Sequence, residues 1–167
     1  IQEFDWSVGQ VVETLDRLKL ADNTLLIVTS DNGPVIDDGY ADGAVRDLNG
    51  HVPAGPYRGG KYTIYEGGTR VPFIARWPGK ITAGTSDALV CQVDFLASFA
   101  NLAGAQRPEG AGPDSQDVLP AILGQSKTGR ETLVEQGCGV STGLRQGNWK
   151  FVPRPNAKNA ELYDLSK

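Results

Sequence analysis

The chain has 167 residues, enough for a domain with a sizeable core, and its 40% hydrophobic and 22% charged residues are an ordinary globular composition. A net charge of −4, a pI near 5.0 and the lack of any Lys/Arg cluster argue against a nucleic-acid partner, and no apolar run approaches the roughly 20 residues of a membrane span. The 21 glycines and 10 prolines predict long, shaped loops rather than a helical bundle. Cys91 and Cys138 have no metal-ligand spacing and only His51 to join them, so a zinc site is not expected. Free or buried thiols are the simpler reading, with a single disulfide as the alternative.

Val8, Val11, Val12, Leu15 and Leu18 recur at helical spacing with charged residues between them, which predicts one apolar stripe on a surface helix. The chain starts against this pattern without Met, so a piece of something longer is expected. After a polar break at Leu20–Asn23, the run Thr24–Thr29 is continuously apolar and β-rich, as in a parallel α/β sheet covered on both faces. Helix, short break and strand fit half of a right-handed crossover. Residues 35–60 are polar and rich in Gly and Asp, a long excursion of the kind that is usually functional or disordered. Val71–Trp77 predicts a second strand, closed by Pro78-Gly79. Val93–Leu102 predicts a second helix, with Val93, Leu96, Ala97 and Ala100 as its stripe, Phe95 and Phe99 widening it, and Gly104 at the C-cap. Asp117–Leu123 reads as a short helix ending at Gly124. The pieces 133–135, 143–145, 149–152 and 161–163 then predict a small antiparallel sheet.

Two segments carry chemistry. Ser30-Asp31-Asn32-Gly33-Pro34 directly follows the buried strand, where α/β sheets bind ligands. The carboxylate of Asp31 and the amide carbonyl of Asn32 are hard oxygen donors suited to Ca²⁺ or Mg²⁺, whereas the plain alternative is a turn. Gly55-Pro56-Tyr57-Arg58-Gly59-Gly60-Lys61-Tyr62 approaches the phosphate-binding pattern G-x-x-x-x-G-K-[ST]. Tyr62 stands where the Mg²⁺-binding hydroxyl is needed, and no strand precedes or helix follows, so that reading fails. What survives is Lys61 on a glycine-rich loop, either a point charge for an anionic oxygen or a solvated surface lysine.

Together, Asp31-Asn32-Gly33-Pro34, Gly59-Gly60-Lys61 and Tyr65-Glu66-Gly67-Gly68-Thr69-Arg70-Val71-Pro72-Phe73 resemble the arylsulfatase family. Leu20–Thr24, Trp77-Pro78-Gly79, Asp94-Phe95-Leu96, Trp149-Lys150 and Glu161–Leu165 extend the resemblance over almost the whole chain. It implies an alkaline-phosphatase-like α/β fold, of which the chain holds a partial sheet with flanking helices over residues 1–130 and a small C-terminal antiparallel sheet over 131–167. It implies that Asp31 and Asn32 complete a Ca²⁺ site and that Lys61 contacts the sulfate ester. Arg58, Glu66 and Arg70 are expected to shape the loop, with substrate contact as the alternative. For His51 no role transfers, and a loop histidine is the favoured reading.

The family's nucleophile is a formylglycine made from a C/S-x-P-x-R motif, and no such motif occurs here. Neither Cys91 nor Cys138 has the Pro or the Arg, and Thr128 and Gly143 stand where Pro is needed after Ser126 and Ser141. The expectation is therefore part of a sulfatase acting on a sulfated small molecule or carbohydrate, inactive alone, from a periplasmic, extracellular or lysosomal parent. A related phosphonate or phosphate ester hydrolase and a non-catalytic binding or structural module are the alternatives. The strand over Leu25–Val28 is expected to lack partners, with self-association through the exposed apolar surface.

Overall fold

The computed structural model describes residues 1–154 and 159–167. The chain forms two compact units, Ile1–Val28 with Phe73–Glu131, and Thr29–Pro72 with Thr132–Lys167.

In the first unit, α1 (Gln2–Arg17) is followed by a 3₁₀ turn at Ala21–Asn23 and then by β1 (Leu26–Thr29). β1 forms a two-stranded sheet with β2 (Phe73–Arg76). The expected stripe on α1 is only partly covered. Val8, Val12 and Leu15 are half-buried, whereas Val11 and Leu18 are exposed. β1 is half-buried along its length rather than enclosed, because β2 is its one strand neighbour among the described residues. Asp16 pairs with Arg76 at 3.1 Å, and Trp77 Nε1 donates to the Asp22 carbonyl at 2.8 Å, so the helix and the 3₁₀ turn are tied to the end of β2.

The second predicted helix is a 3₁₀ turn at Gln92–Asp94 running into α3 (Phe95–Leu102). Its inward face differs from the expected stripe, since Val93 and Leu96 are exposed while Ala97 and Ser98 are buried and Phe95 and Phe99 are half-buried. Polar bonds set this rotation. The buried Asp94 carboxylate accepts from the Gln116 amide and pairs with Arg130 at 2.7 Å, and Ser98 Oγ accepts from the Val118 amide at 3.0 Å. α4 (Leu119–Ile122) supplies the core residues Val118, Ala121 and Ile122, packed by Ile27, Phe73, Phe95 and Phe99. Both α3 and α4 end in a left-handed glycine. Ala105 donates to Ala100 and Gln125 to Pro120, with Gly104 and Gly124 closing the last carbonyls.

In the second unit, the one-turn helix α2 (Glu66–Thr69) lies within the loop segment, and the expected antiparallel sheet is present as β3 (Thr132–Gln136), β4 (Thr142–Gln146), β5 (Trp149–Val152) and β6 (Glu161–Asp164). The order is β3-β4-β5-β6, a meander, with Gly147 at φ +54° opening the two-residue turn between β4 and β5. Its faces are unusual. Glu135, Arg145 and Lys150 point inward at alternate positions, while Val134, Leu144, Trp149, Phe151 and Leu162 are exposed. Val134 pairs with Leu144, Leu144 with Phe151 and Phe151 with Leu162, so the apolar residues run in one row across the four strands.

Candidate functional site

Asp31, Asn32 and Lys61 all belong to the second unit. The backbone joins their two segments directly, because the Lys61 amide donates to the Pro34 carbonyl at 2.8 Å. The Gly33 amide donates to Gly68 of α2 at 2.9 Å, and the Gly67 amide to the Arg58 carbonyl at 2.8 Å. Such close backbone approach needs glycine. A Cβ on Gly33 would lie 1.8 Å from the Gly67 oxygen, and one on Gly60 would lie 2.6 Å from the Pro34 oxygen.

Within the first segment, Asp31 Oδ1 accepts from the Asn32 amide at 2.9 Å, and Asn32 Nδ2 donates to the Gly33 carbonyl at 2.9 Å. These bonds fix both side chains while leaving oxygen donors free. Among the described residues, neither Asp31 Oδ2 nor Asn32 Oδ1 is hydrogen-bonded. The pair fits a hard cation as two of the six to eight oxygens that Ca²⁺ takes. No group of three His, Cys, Asp or Glu side chains that could hold a metal occurs among the described residues.

Lys61 and Tyr62 form the tip of a turn in which the Thr63 amide donates to the Gly60 carbonyl at 3.0 Å. Tyr62 takes φ +75°, a left-handed conformation that costs a bulky residue about 1–2 kcal/mol. The Cys138 amide donates to the Tyr62 carbonyl at 2.9 Å and holds the turn in place. The half-buried Lys61 ammonium lies 3.4 Å from Asp38 Oδ2, and the Tyr62 hydroxyl donates to Asp38 Oδ1. The Tyr62 hydrogen bond, and then Lys61, hold the Asp38 carboxyl below its ordinary range, while Asp38 pushes the Lys61 ammonium up. Lys61 is therefore a cation, and its present counter-ion is part of the same chain.

Beneath these loops lies a buried ion cluster. Lys150 is 1% exposed, and its ammonium reaches Glu66 Oε1 at 2.9 Å, Glu135 Oε2 at 2.9 Å and Thr69 Oγ1 at 3.0 Å. Glu66 and Thr69 accept hydrogen bonds from the ammonium, whereas Glu135 Oε2 meets it as an ion pair and accepts no hydrogen bond among the described residues. Arg145 stands 3.6 Å and Arg70 3.9 Å from Glu66 Oε2. The chain of support runs from β5 through Lys150 to Glu66 and α2, then to Gly33 and Arg58, and so to Asn32 and Lys61. Glu66 does shape the loop, as expected. Lys150 and Glu135 escape a reading by residue pattern because charges at alternate strand positions ordinarily face solvent, and Asp38 escapes it because it lies in a loop without periodicity. His51 is exposed, and its amide makes a turn bond to the Leu48 carbonyl. Cys91 and Cys138 are free thiols.

The sulfatase family model matches residues 1–105. The N-acetylgalactosamine-6-O-sulfatase of Bacteroides thetaiotaomicron is 47% identical over 180 residues, covering 99% of this chain and 35% of that protein. A solved structure described under the metabolism of multiple glycosaminoglycans by Bacteroides thetaiotaomicron superposes with a TM-score of 0.92 at 47% identity, over 98% of this chain and 37% of its own. The structure of Ps i-CgsB in complex with k-i-k-neocarrahexaose superposes with a TM-score of 0.75 at 27% identity, over 97% of this chain and 34% of its own. The chain thus spans about a third of the length of the relatives it matches. The mixed α/β architecture with a small antiparallel sheet is that of the alkaline-phosphatase-like fold of these relatives. With well over half of its residues matched by the family model, the chain belongs to the sulfatase family.

Proposed function

We propose that this chain supplies one side of the active site of an enzyme that hydrolyses sulfate esters, with a sulfated carbohydrate as the substrate class. The observation that carries the reading is the 2.8 Å bond from the Lys61 amide to the Pro34 carbonyl, which ties the segment that carries Lys61 to the one that carries Asp31 and Asn32. Asp31 and Asn32 would hold Ca²⁺ together with ligands from outside this chain, and Lys61 would hold a sulfate oxygen. When bound, the cation offsets negative charge on the sulfate oxygens. Lys61 adds a fixed charge and orients the ester, leaving Asp38 as its resting partner. Attack on sulfur would fall to a formylglycine outside these residues, since no C/S-x-P-x-R motif occurs among them. The 47% identity to a sulfatase that acts on N-acetylgalactosamine 6-sulfate supports a sulfated sugar as the substrate class.

Two measurements test this. The 167-residue chain is expected to show no turnover of an aryl sulfate or of N-acetylgalactosamine 6-sulfate, and clear turnover refutes the assignment of the nucleophile elsewhere. Calorimetric titration with Ca²⁺ should give weak binding, in line with two protein oxygens, that Asp31→Ala removes. Ca²⁺ binding that survives Asp31→Ala places the metal site on other residues.

A further inference from the structure

The segment that carries Lys61 also builds a second cationic patch. Arg58 lies with its guanidinium carbon 3.8 Å from the centre of the Tyr65 ring, and its Nη1 donates to the Tyr163 hydroxyl and stands 3.6 Å from Glu161. From the opposite side Arg154 Nη2 donates to Glu161 Oε1 at 2.9 Å and to the Tyr65 hydroxyl. The Tyr65 hydroxyl in turn donates to Glu161 Oε2 at 3.0 Å, and the two tyrosine rings meet edge to face at 6.1 Å. Two arginines converge on one carboxylate, so the patch carries one excess positive charge.

The patch is open. The side chains of Arg58 and Arg154 are 57% and 43% exposed, against 27% for Glu161. Each arginine uses a single terminal nitrogen in these contacts, so its other N–H donors have no partner among the described residues. Exposed ion pairs add little to stability, so stability does not account for a second arginine around one acid. Stacking on Tyr65 holds the Arg58 plane in place, which lowers the cost of ordering it around an oxyanion. Only Gly59 and Gly60 separate Arg58 from Lys61, a chain reach of at most about 10 Å.

On the proposed reading of Lys61, we infer that Arg58 and Arg154 form a second oxyanion site, which takes a carboxylate or sulfate on a neighbouring sugar of an oligosaccharide whose sulfate ester rests on Lys61. The substrate class is thereby narrowed to polyanionic oligosaccharides. Glu161 serves as the internal stand-in for that oxyanion and competes with it. The Glu161 carboxyl is held below its ordinary range chiefly by the Arg154 hydrogen bond, so it stays charged and competes throughout the neutral range.

The test is a calorimetric titration of the full 167-residue chain with N-acetylgalactosamine 6-sulfate and with a hexasaccharide in which that sugar alternates with a uronic acid. The hexasaccharide should bind more tightly than the monosaccharide. Arg58→Gln and Arg154→Gln should each weaken the hexasaccharide about tenfold, the effect of losing a charge-assisted hydrogen bond, and leave the monosaccharide unchanged. Glu161→Gln should tighten the hexasaccharide, a gain that misfolding does not mimic. Carboxyl-reduced and partly desulfated hexasaccharides tell which group the arginines hold, since only the one lacking that group loses the tenfold. Equal affinities for the two sugars, no hexasaccharide binding, or an Arg58→Gln and Glu161→Gln pair that change nothing would overturn the inference. Lys61→Ala separates the two readings. Monosaccharide binding that survives it refutes the sulfate role of Lys61, while a hexasaccharide still weakened by Arg58→Gln keeps the arginine site.

Discussion

Replacing Lys150 by Met tests the buried ion cluster beneath the site. Methionine keeps the length and apolar stem of the side chain but removes the ammonium that meets Glu66 at 2.9 Å, Glu135 at 2.9 Å and Thr69 at 3.0 Å. With 1% of Lys150 exposed, water cannot take its place. Two buried carboxylates then face each other, with Arg145 at 3.6 Å from Glu66 as the nearest remaining cation of the cluster. Breaking a buried pair of this kind costs about 3–5 kcal/mol. Over a urea slope of about 2 kcal/mol per molar, that lowers the unfolding midpoint by about 2 M. Circular dichroism in urea measures the loss. Amide exchange at Glu66–Thr69 and at Lys61 locates it in the loop segment. Neutralising the acids as well, in Lys150→Met with Glu66→Gln and Glu135→Gln, should recover part of the loss, because the unpaired charges and not the lost lysine carry the cost. A loss below about 1 kcal/mol for the single variant, or a triple variant less stable than the single, would refute the reasoning.

Other predictions follow from the same contacts. Asp38 should titrate below an unperturbed aspartate in a carboxyl NMR titration, and Tyr62→Phe should raise it, since the Tyr62 hydrogen bond is the main cause of the shift. The sign follows from linkage. The depressed Asp38 value means that its contribution is present above the unfolded carboxyl pKa and is lost as pH falls through the folded one, while the raised Lys61 value means a contribution lost only as pH rises through it. An Asp38 titration unmoved by Tyr62→Phe would exclude the hydrogen bond as its cause. Gly33→Ala should destabilise the loop by about 1–3 kcal/mol or more, because its Cβ would meet the Gly67 carbonyl oxygen at 1.8 Å. A variant as stable as the parent in thermal unfolding would show that the close approach is not required. The exposed row Val134, Leu144, Phe151 and Leu162 is expected to drive self-association of the chain. Sedimentation velocity should show concentration-dependent oligomers that Phe151→Glu dissolves, and a monomer at every concentration counts against it.

The order of elements was legible in the sequence because continuous apolar runs and helical spacing mark it directly. Gly104 and Gly124 marked both helix ends correctly, since a left-handed cap leaves little choice of residue. The candidate site residues stood out only through the ordered family resemblance, because Asp31-Asn32 alone reads as a turn and Lys61 alone as a surface lysine. What the pattern hid was partnership. Glu135, Arg145 and Lys150 alternate with apolar neighbours, and alternation alone assigns the charges to solvent. Only the position of Glu66 on α2 turns them inward. The face of α3 was misjudged for a related reason, because Asp94 and Ser98 satisfy buried amides from residues about 20 positions away. Asp38 lies 23 residues before Lys61 within the long excursion, where no periodicity points to a partner.

The central claim is that Asp31, Asn32 and Lys61 act on one ligand. Amide NMR of the 167-residue chain, titrated with N-acetylgalactosamine 6-sulfate in the presence of Ca²⁺, tests it most directly. The account predicts shifts centred on Asn32, Gly33, Gly60 and Lys61 that Lys61→Ala abolishes and that Asp31→Ala reduces. Shifts centred elsewhere, or shifts at these amides that persist in Lys61→Ala, would contradict it.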